Sequence, residues 1–205
     1  MNRSLVGLGV VWVCGVGLGL WMLTDYANAP GRAADTPALW PIASSIARVP
    51  GRATLIMLAH PRCPCTRASI GELALLMAQT TELVSAYVLF LKPTGFDSDW
   101  YRSDLWDSAA SIPGVTALAD EGGREALRFH AATSGQTILY AADGHLLFSG
   151  GITAARGHSG DNSGRTAVLS LLTTGAADRT ETAVFGCALI EGIAATDDGA
   201  LVCRQ

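Results

Sequence analysis

The chain has 205 residues, with 14 Lys or Arg and 18 Asp or Glu, for a formal net charge of −4 at pH 7. This slightly acidic balance offers no basic surface for nucleic acid, so no nucleic-acid partner is expected. Beyond an apolar N-terminal segment about 165 residues remain, which is enough for one domain with its own core and too few for two ordinary ones.

The N-terminal segment predicts a membrane span. After Arg3, residues 5–23 form an uncharged stretch of 19 residues, and a helix of that length rises roughly 28 Å, close to the hydrocarbon thickness of a bilayer. We interpret it as an uncleaved signal anchor, because signal-peptide cores are shorter. A signal peptide cleaved after the Ala-Asn-Ala triplet at 27–29 and a buried helix of a soluble domain stay open. Arg3 before the span and Asp25 after it place the N-terminus inside and the bulk of the chain outside.

These features divide the chain into five parts. Residues 1–4 form a cytoplasmic stub, 5–23 the transmembrane anchor, 24–41 a linker, 42–180 the folded domain and 181–205 a C-terminal tail. The linker contains Pro, Gly and Ala without periodicity, which predicts a tether.

Alternating strands and helices are predicted along the domain. Apolar runs predict strands, and apolar residues at helical spacing predict helices. Asp120 is a candidate helix cap, and the Asp143-Gly144 turn indicates a hairpin. In chain order we expect a strand at 53–59, a helix from Cys63 to about 80, a strand at 86–91, helix-like spacing at 96–111, a short strand at 115–118, a helix after Asp120, hairpin strands at 137–140 and 146–148, a helix at 165–173 and an irregular tail. Early alternation and a late hairpin predict an α/β fold: a mixed sheet with helices on both faces.

The segment His-Pro-Arg-Cys-Pro-Cys-Thr at 60–66 joins the first strand to the first helix of the domain. Cys63 is a plausible N-cap residue, and Pro64 suits the first helical position because its missing N–H would have no partner there. A helix N-terminus lowers the pKa of a nearby thiol, and the positive charges of Arg62 and Arg67 favour the thiolate further. The arrangement therefore predicts thiol chemistry, with Cys63 as the attacking thiol.

Cys65 is the candidate resolving thiol. A relaxed disulfide needs Cα atoms about 4.4–6.8 Å apart, so a bond between Cys63 and Cys65 is expected to be strained and easily opened. Two alternatives stay open at this pair. Cys63, Cys65 and His60 are a soft ligand set that suits Cu(I), and the two cysteines could form a structural pair without turnover.

The remaining cysteines outside the span are Cys187 and Cys203. Outside the membrane, oxidising conditions let cysteines pair, and four cysteines allow three connectivities. We interpret Cys187 and Cys203 as a structural disulfide that holds the tail. The alternative is a second exchange pair that relays electrons to Cys63 and Cys65.

A Gly-rich cluster at 150–162 supplies further candidates. Its glycines allow close backbone approach, and its polar residues lie in a loop. Arg156 and His158 are therefore candidates to line the thiol site.

This order of elements, with a cysteine motif after the first strand, resembles the thioredoxin superfamily, especially its membrane-anchored bacterial branch. The stretch EGGREALRFHAATSGQTILYAADGHLLFSGG at 121–151 resembles that branch's helix, hairpin and following glycines. More narrowly, HPRCPCTRAS with the later GGITAARGHSGDN is similar to small bacterial proteins of the RedB type. The resemblance implies a thioredoxin-like domain at 42–180.

The sequence departs from the family pattern at three places. The cysteine motif is Cys-x-Cys, and Thr66 occupies the slot of the second family cysteine. Gln136 and Thr137 stand where the family has a cis-proline before the hairpin strand. Arg62 replaces the aromatic residue that ordinarily precedes the first cysteine.

The resemblance implies a thiol–disulfide exchange protein in the bacterial inner membrane, with one span and the domain facing the periplasm. Its partners would be protein thiols or disulfides, and no cofactor or metal is expected. A copper-binding or metallochaperone module on the same fold, with Cu(I) as its ligand, is the alternative, and an inactive interaction module is a third.

Overall fold

The computed structural model describes residues 3–189, and the backbone alone of 193–195 and 201–203. Helix α1, Arg3–Asn28, has no buried residue. With 26 residues and a mean hydropathy of 2.0, it is long and apolar enough to cross a membrane. The helix continues beyond the predicted end of the span at residue 23.

A five-stranded sheet forms the centre of the domain. Its strands are β1 (Ala53–Ala59), β2 (Val84–Lys92), β3 (Val115–Glu121), β4 (Thr137–Tyr140) and β5 (Leu146–Gly150), in the spatial order β3-β2-β1-β4-β5. Strands β1, β2 and β3 are parallel, whereas β4 is antiparallel to both β1 and β5. The predicted mixed sheet is confirmed, and β1 lies at its centre, so the loop after β1 emerges in the middle of the domain.

Helices cover both faces of the sheet, as predicted. They are α2 (Pro64–Thr80), α3 (Ser98–Tyr101), α4 (Asp104–Ala110), α5 (Arg124–Arg128) and α6 (Ser163–Thr174). Residues of α2, α4 and α6 pack with one face of β1 and β2, including Leu55, Met57 and Phe90. Ile56, Leu58 and Phe129 form the apolar core on the other face.

Two local predictions about helices have different outcomes. The helix-like spacing at 96–111 gives two short helices, because Ser103 has an extended backbone between α3 and α4. The Asp120 carboxylate does satisfy the start of α5, although the N-cap residue itself is Gly123: it is buried and accepts hydrogen bonds from the backbone N–H groups of Glu125 and Ala126, at 2.8 and 2.9 Å. Those groups lack partners within α5, so the carboxylate satisfies them.

The linker lies against the domain, in contrast to the tether expected from its composition. The backbone N–H of Gly31 donates to the carbonyl of Val184 at 2.8 Å, and the Tyr140 hydroxyl donates to the carbonyl of Pro37 at 2.8 Å. The ring of Trp40 packs edge-on against Phe129, with centroids 5.2 Å apart. Backbone pairing and burial of one aromatic ring offset the chain entropy that composition alone suggested would dominate.

The tail also differs from the irregular segment expected. Residues 180–189 run along the domain and pair with its loops, and β6 (Ile193–Ala195) pairs antiparallel with β7 (Leu201–Cys203). Cys203 ends β7, but its side chain lies outside the described residues. The predicted disulfide between Cys187 and Cys203 therefore stays a prediction.

Candidate thiol site

The thiol site begins where β1 ends at the centre of the sheet. Cys63 is the N-cap residue of α2, with φ −90° and ψ 117°, and Pro64 opens the helix, both as predicted. The turn before the helix is closed by Cys63, whose N–H donates to the carbonyl of His60 at 3.1 Å. The helix starts when the N–H of Thr66 donates to the carbonyl of Cys63 at 3.1 Å.

The Cys63 sulfur is hydrogen-bonded to the sulfur of Cys187. The Cys187 Sγ lies 2.8 Å from the Cys63 Sγ, although the residues are 124 positions apart in the chain. Cys63 is only 1% exposed. The structure thus brings the tail to the thiol site, which the sequence analysis considered only as an alternative use of Cys187.

Hydrogen bonds control the acidity of Cys63. Burial alone would raise the pKa of its thiol. Hydrogen bonding with Cys187, and then with Thr66, favours the thiolate and leaves the pKa of Cys63 below its ordinary value. The predicted direction is confirmed.

The expected contribution of the two arginines is not what the structure shows. Arg67 forms an exposed ion pair with Asp104, and the Arg62 guanidinium lies over the Trp100 ring, 5.3 Å from its centroid. The prediction that these two charges lower the pKa of Cys63 was wrong, because the groups that lower it are Cys187 and Thr66.

The two other thiols of the site are held in the protonated form. Burial, followed by the charge and hydrogen bond of Cys63, raises the pKa of Cys65. Burial and the hydrogen bond and charge of Cys63 raise the pKa of Cys187 to about 12. The site therefore contains one thiolate-forming sulfur and two neutral neighbours.

Arg156 connects four parts of the molecule at this site. Its Nη1 donates to the carbonyl of Gly186 at 2.6 Å, and its Nε donates to the carbonyl of Ala29 at 3.1 Å. Its guanidinium lies 5.0 Å from the centroid of the Tyr26 ring at the end of α1. It also opposes the raised pKa of Cys65. Arg156 lies beside the thiols, whereas none of the described contacts of the exposed His158 reaches a cysteine.

Ser134, which the sequence analysis did not single out, organises the loop before β4. Its hydroxyl accepts from the N–H of His60 at 2.8 Å and lies 2.7 Å from the Thr66 hydroxyl. Thr66, in the slot of the second family cysteine, thus links α2 to this loop. Gln136 contacts the strands instead of the thiols. Its backbone carbonyl accepts a hydrogen bond from the N–H of Leu58 in β1 at 2.9 Å, and its side-chain Nε2 donates to the hydroxyl of Ser149 in β5 at 2.9 Å.

A cleft of about 260 Å³ leads to the two sulfur atoms. The imidazole of His60 packs edge-on against Trp100 in it, with centroids 5.5 Å apart. Burial and then the charge of Arg62 lower the pKa of His60, so its ring is neutral near pH 7. The lining is mostly apolar and comprises His60, Arg62, Cys63, Leu91, Pro93, Trp100, Cys187, Ala188 and Leu189.

The chain is similar in fold to several solved bacterial proteins, although neither a family model nor a curated protein matches its sequence. An uncharacterised conserved protein from Geobacillus kaustophilus aligns with a TM-score of 0.57 and 19% identity, over 79% of this chain and 92% of that one. A hypothetical protein from Sinorhizobium meliloti 1021 aligns with a TM-score of 0.55 and 17% identity, over 78% and 93% of the two chains. A secreted disulfide oxidoreductase from Mycobacterium tuberculosis aligns with a TM-score of 0.38 and 18% identity, over 47% and 67%.

The fold is the mixed sheet with helices on both faces that the thioredoxin resemblance implies. These identities are all below a fifth, so the similarity concerns the fold alone. Function must be argued from the residues of the site itself.

The donor atoms of the site do not form a metal cage. Within residues 3–189, no three His, Cys, Asp or Glu side chains come close enough together to hold a metal ion. The Nδ1 of His60 accepts a hydrogen bond from the backbone N–H of Arg62 at 3.2 Å. Binding of Cu(I) by Cys63, Cys65 and His60 stays an alternative prediction.

Proposed function

We propose that this protein is a membrane-anchored thiol–disulfide exchange protein that acts on protein thiols or disulfides and needs no bound cofactor. The observation that carries the proposal is the position of Cys63: it is the N-cap residue of α2, hydrogen bonding with Cys187 and Thr66 lowers the pKa of its thiol, and it lines an apolar cleft. The thiolate is the form that attacks a disulfide.

The chemistry follows from this arrangement. The Cys63 thiolate attacks one sulfur of a partner disulfide, forms a mixed disulfide and releases the second partner sulfur as a thiolate. A second cysteine of the protein then attacks the Cys63 sulfur and releases the partner. The apolar wall of the cleft, including Trp100, would bury the partner residues beside its disulfide.

The finer assignment to the RedB type, in the inner membrane of a bacterium with the domain in the periplasm, belongs to the same proposal. It is supported by the motif HPRCPCTRAS and by the charges on either side of the apolar span at 5–23. An oxidising compartment suits a chain with several paired or exchanging cysteines.

Replacing the attacking thiol should abolish the activity. We expect Cys63→Ser to lower the rate of reduction of a model protein disulfide by at least about a hundredfold, because a serine hydroxyl does not ionise near neutral pH. The measurement is dithiothreitol-coupled reduction of insulin by the detergent-solubilised chain. Cys14→Ser is the matched control, since Cys14 is exposed on α1 far from the cleft residues in sequence. Full activity in Cys63→Ser would rule out this function.

The copper-binding alternative gives a different result in the same variants. A metallochaperone would bind Cu(I) in a way that requires Cys63, Cys65 and His60, and would show no exchange activity. Competition with a chromophoric Cu(I) chelator measures this binding, and His60→Ala is the diagnostic variant, because the exchange mechanism does not use the imidazole as a ligand.

Helix α1 should keep the whole chain in the membrane. We expect the full-length protein to stay in the membrane fraction after a carbonate wash, because a mean hydropathy of 2.0 over a membrane-length helix favours insertion. The control carries Val13→Arg and Val16→Arg, each of which costs about 2.5–3.5 kcal/mol at the centre of a span. A soluble mature protein that begins near Pro30 would show that the segment is a cleaved signal peptide.

A further inference from the structure

The C-terminal tail pairs its backbone with residues 132–134 of the loop before β4. The N–H of Ser134 donates to the carbonyl of Cys187 at 2.8 Å, and the N–H of Leu189 donates to the carbonyl of Ala132 at 2.8 Å. Thr133 and Ala188 form an antiparallel bridge between these two bonds. Backbone pairing of this kind fixes the register of a peptide, and its side chains then meet defined neighbours.

Two further contacts fix the tail at Gly186. A Cβ atom at Gly186 would lie 1.9 Å from the carbonyl oxygen of Ser134, so only glycine allows this close approach. Arg156 Nη1 donates to the Gly186 carbonyl at 2.6 Å. The position of the next residue, Cys187, is therefore set by these contacts as well as by the backbone pairing.

The two sulfur atoms are already close to bonding distance. A disulfide has an S–S distance of about 2.05 Å, and the sulfurs of Cys63 and Cys187 are 2.8 Å apart. We propose that Cys187 is the resolving cysteine of the exchange reaction and that the docked tail delivers it to Cys63. This inference rests on the proposed function and adds a third cysteine to the pair that the motif suggests.

The reaction balances as follows. The Cys63 thiolate attacks the partner disulfide, which yields a mixed disulfide and one partner thiolate. Cys187 loses its proton to that thiolate and attacks the Cys63 sulfur, which forms the Cys63–Cys187 disulfide and releases the second partner sulfur as a thiolate. The protein dithiol loses two electrons and the partner disulfide gains two, and the reverse sequence oxidises a partner dithiol.

The negative charge of the Cys63 thiolate helps to keep the Cys187 thiol protonated before a partner is bound. The hydrogen bond to Cys63 and its negative charge both help to raise the pKa of Cys187. Both effects vanish once the Cys63 sulfur is bonded to a partner, whereas the opposing charge of Arg156 remains. Cys187 thus ionises more readily in the mixed disulfide, which is the state in which it must attack.

Cys65 is less suited to this step. A bond between Cys63 and Cys65 would close a ring across one intervening residue, Pro64, at the fixed start of a helix, and it would be strained. The bond to Cys187 requires the sulfurs to approach by less than about 1 Å from their present positions.

Disulfide mapping tests the pairing directly. Trypsin should release residues 63–67 as one peptide and residues 180–204 as another, because Arg62, Arg67, Arg179 and Arg204 flank them. After mild oxidation of the full chain with oxidised glutathione, we expect these two peptides to be joined, and still joined in a Cys65→Ser, Cys203→Ser variant. Separate peptides with internal disulfides 63–65 and 187–203 would overturn the proposal.

Trapping experiments distinguish failure of this proposal from failure of the proposed function. Cys187→Ser should accumulate the mixed disulfide with the insulin chain at least tenfold over the wild type, whereas Cys65→Ser should not. Accumulation in Cys65→Ser alone would leave the exchange function intact and assign resolution to Cys65, against our proposal. Failure of the proposed function would instead appear as full activity in the Cys63→Ser variant.

A glycine pair tests the role of the docked tail without removing any thiol. Gly186→Ala should prevent close docking and slow the formation of the Cys63–Cys187 disulfide at least tenfold. Gly71→Ala is the matched control, because a Cβ there meets no atom within 4 Å, and it should form the disulfide at the wild-type rate. Equal rates in both variants would overturn delivery by the tail.

Discussion

Cys187→Ala should slow the alkylation of Cys63 about tenfold at neutral pH, whereas Cys187→Ser should retain much of the rate. The sulfur atoms of Cys63 and Cys187 are hydrogen-bonded at 2.8 Å. Once Cys63 is a thiolate, the Cys187 thiol is the donor, and it is the strongest of the groups that lower the pKa of Cys63. A hydrogen bond to a charged group contributes about 1.5–3 kcal/mol, and 1.4 kcal/mol corresponds to a factor of ten. Alanine removes the donor, and serine supplies a hydroxyl in its place.

The sign of the pH dependence follows from the lowered pKa. The thiolate fraction, and with it the alkylation rate, rises as the pH increases through the pKa of Cys63, which lies below that of a free cysteine. Alanine should move the midpoint of this rise to higher pH. The measurement is the iodoacetamide rate against pH in a full chain that carries Cys14→Ala, Cys65→Ala and Cys203→Ala, with or without the change at Cys187. An unchanged midpoint in Cys187→Ala would contradict this prediction and would show that the helix N-terminus and Thr66 are enough to lower the pKa of Cys63.

The same hydrogen bonds influence the redox balance of the site. They stabilise the reduced protein, because the Cys63 thiolate exists only when its disulfide is open. Stabilising the reduced form makes the disulfide a stronger oxidant. In stability terms, the lowered pKa adds stability to the reduced fold at pH values above the ordinary cysteine pKa. That stability is lost as the pH falls through the lowered value.

Local sequence patterns predicted the part of the site that local structure builds. The apolar run at 53–59 predicted β1 with its observed bounds, and Pro64 predicted where α2 begins and hence that Cys63 caps it. These features depend on residues within one helical turn or one strand, so the chain encodes them in adjacent positions.

The rest of the site depends on contacts that no local pattern contains. Cys187 meets Cys63 across 124 residues, and the tail around it has no period that predicts pairing. Its position follows from backbone hydrogen bonds with residues 132–134, which leave no side-chain pattern in the sequence. Gly186 gave the one local signal, since a glycine directly before a cysteine indicates close backbone approach. The charge of Arg67 beside the motif is directed elsewhere in the fold, because Arg67 forms an ion pair with Asp104 at the start of α4.

The Gly-rich cluster at 150–162 is also bonded to the buried Glu72 on α2, and this contact should stabilise the fold. Only 1% of the Glu72 side chain is exposed. One carboxylate oxygen accepts from the N–H of Gly160 at 2.8 Å, and the other accepts from Asn162 Nδ2 at 3.2 Å and Arg165 Nη1 at 2.6 Å. The carboxylate thus ties the end of the loop that carries Arg156, and the start of α6, to the helix that carries the thiols.

Arg165→Met should lower the free energy of unfolding by about 3–5 kcal/mol, because it leaves the buried Glu72 carboxylate without its cation. Glu72→Gln should cost less, since the side chain of Arg165 is 19% exposed and can turn towards solvent and the exposed carboxylate of Asp161. The double variant should be more stable than Arg165→Met alone, because the uncompensated buried charge is gone.

The measurement is urea unfolding of the reduced, detergent-solubilised chain, followed by tryptophan fluorescence. Arg52→Met is the matched control: its pair with Glu82 is exposed, at 37% and 89%, and should contribute less than about 1 kcal/mol. Equal losses in Arg165→Met and Arg52→Met would mean that the Glu72 carboxylate is satisfied by Gly160 and Asn162 without the arginine.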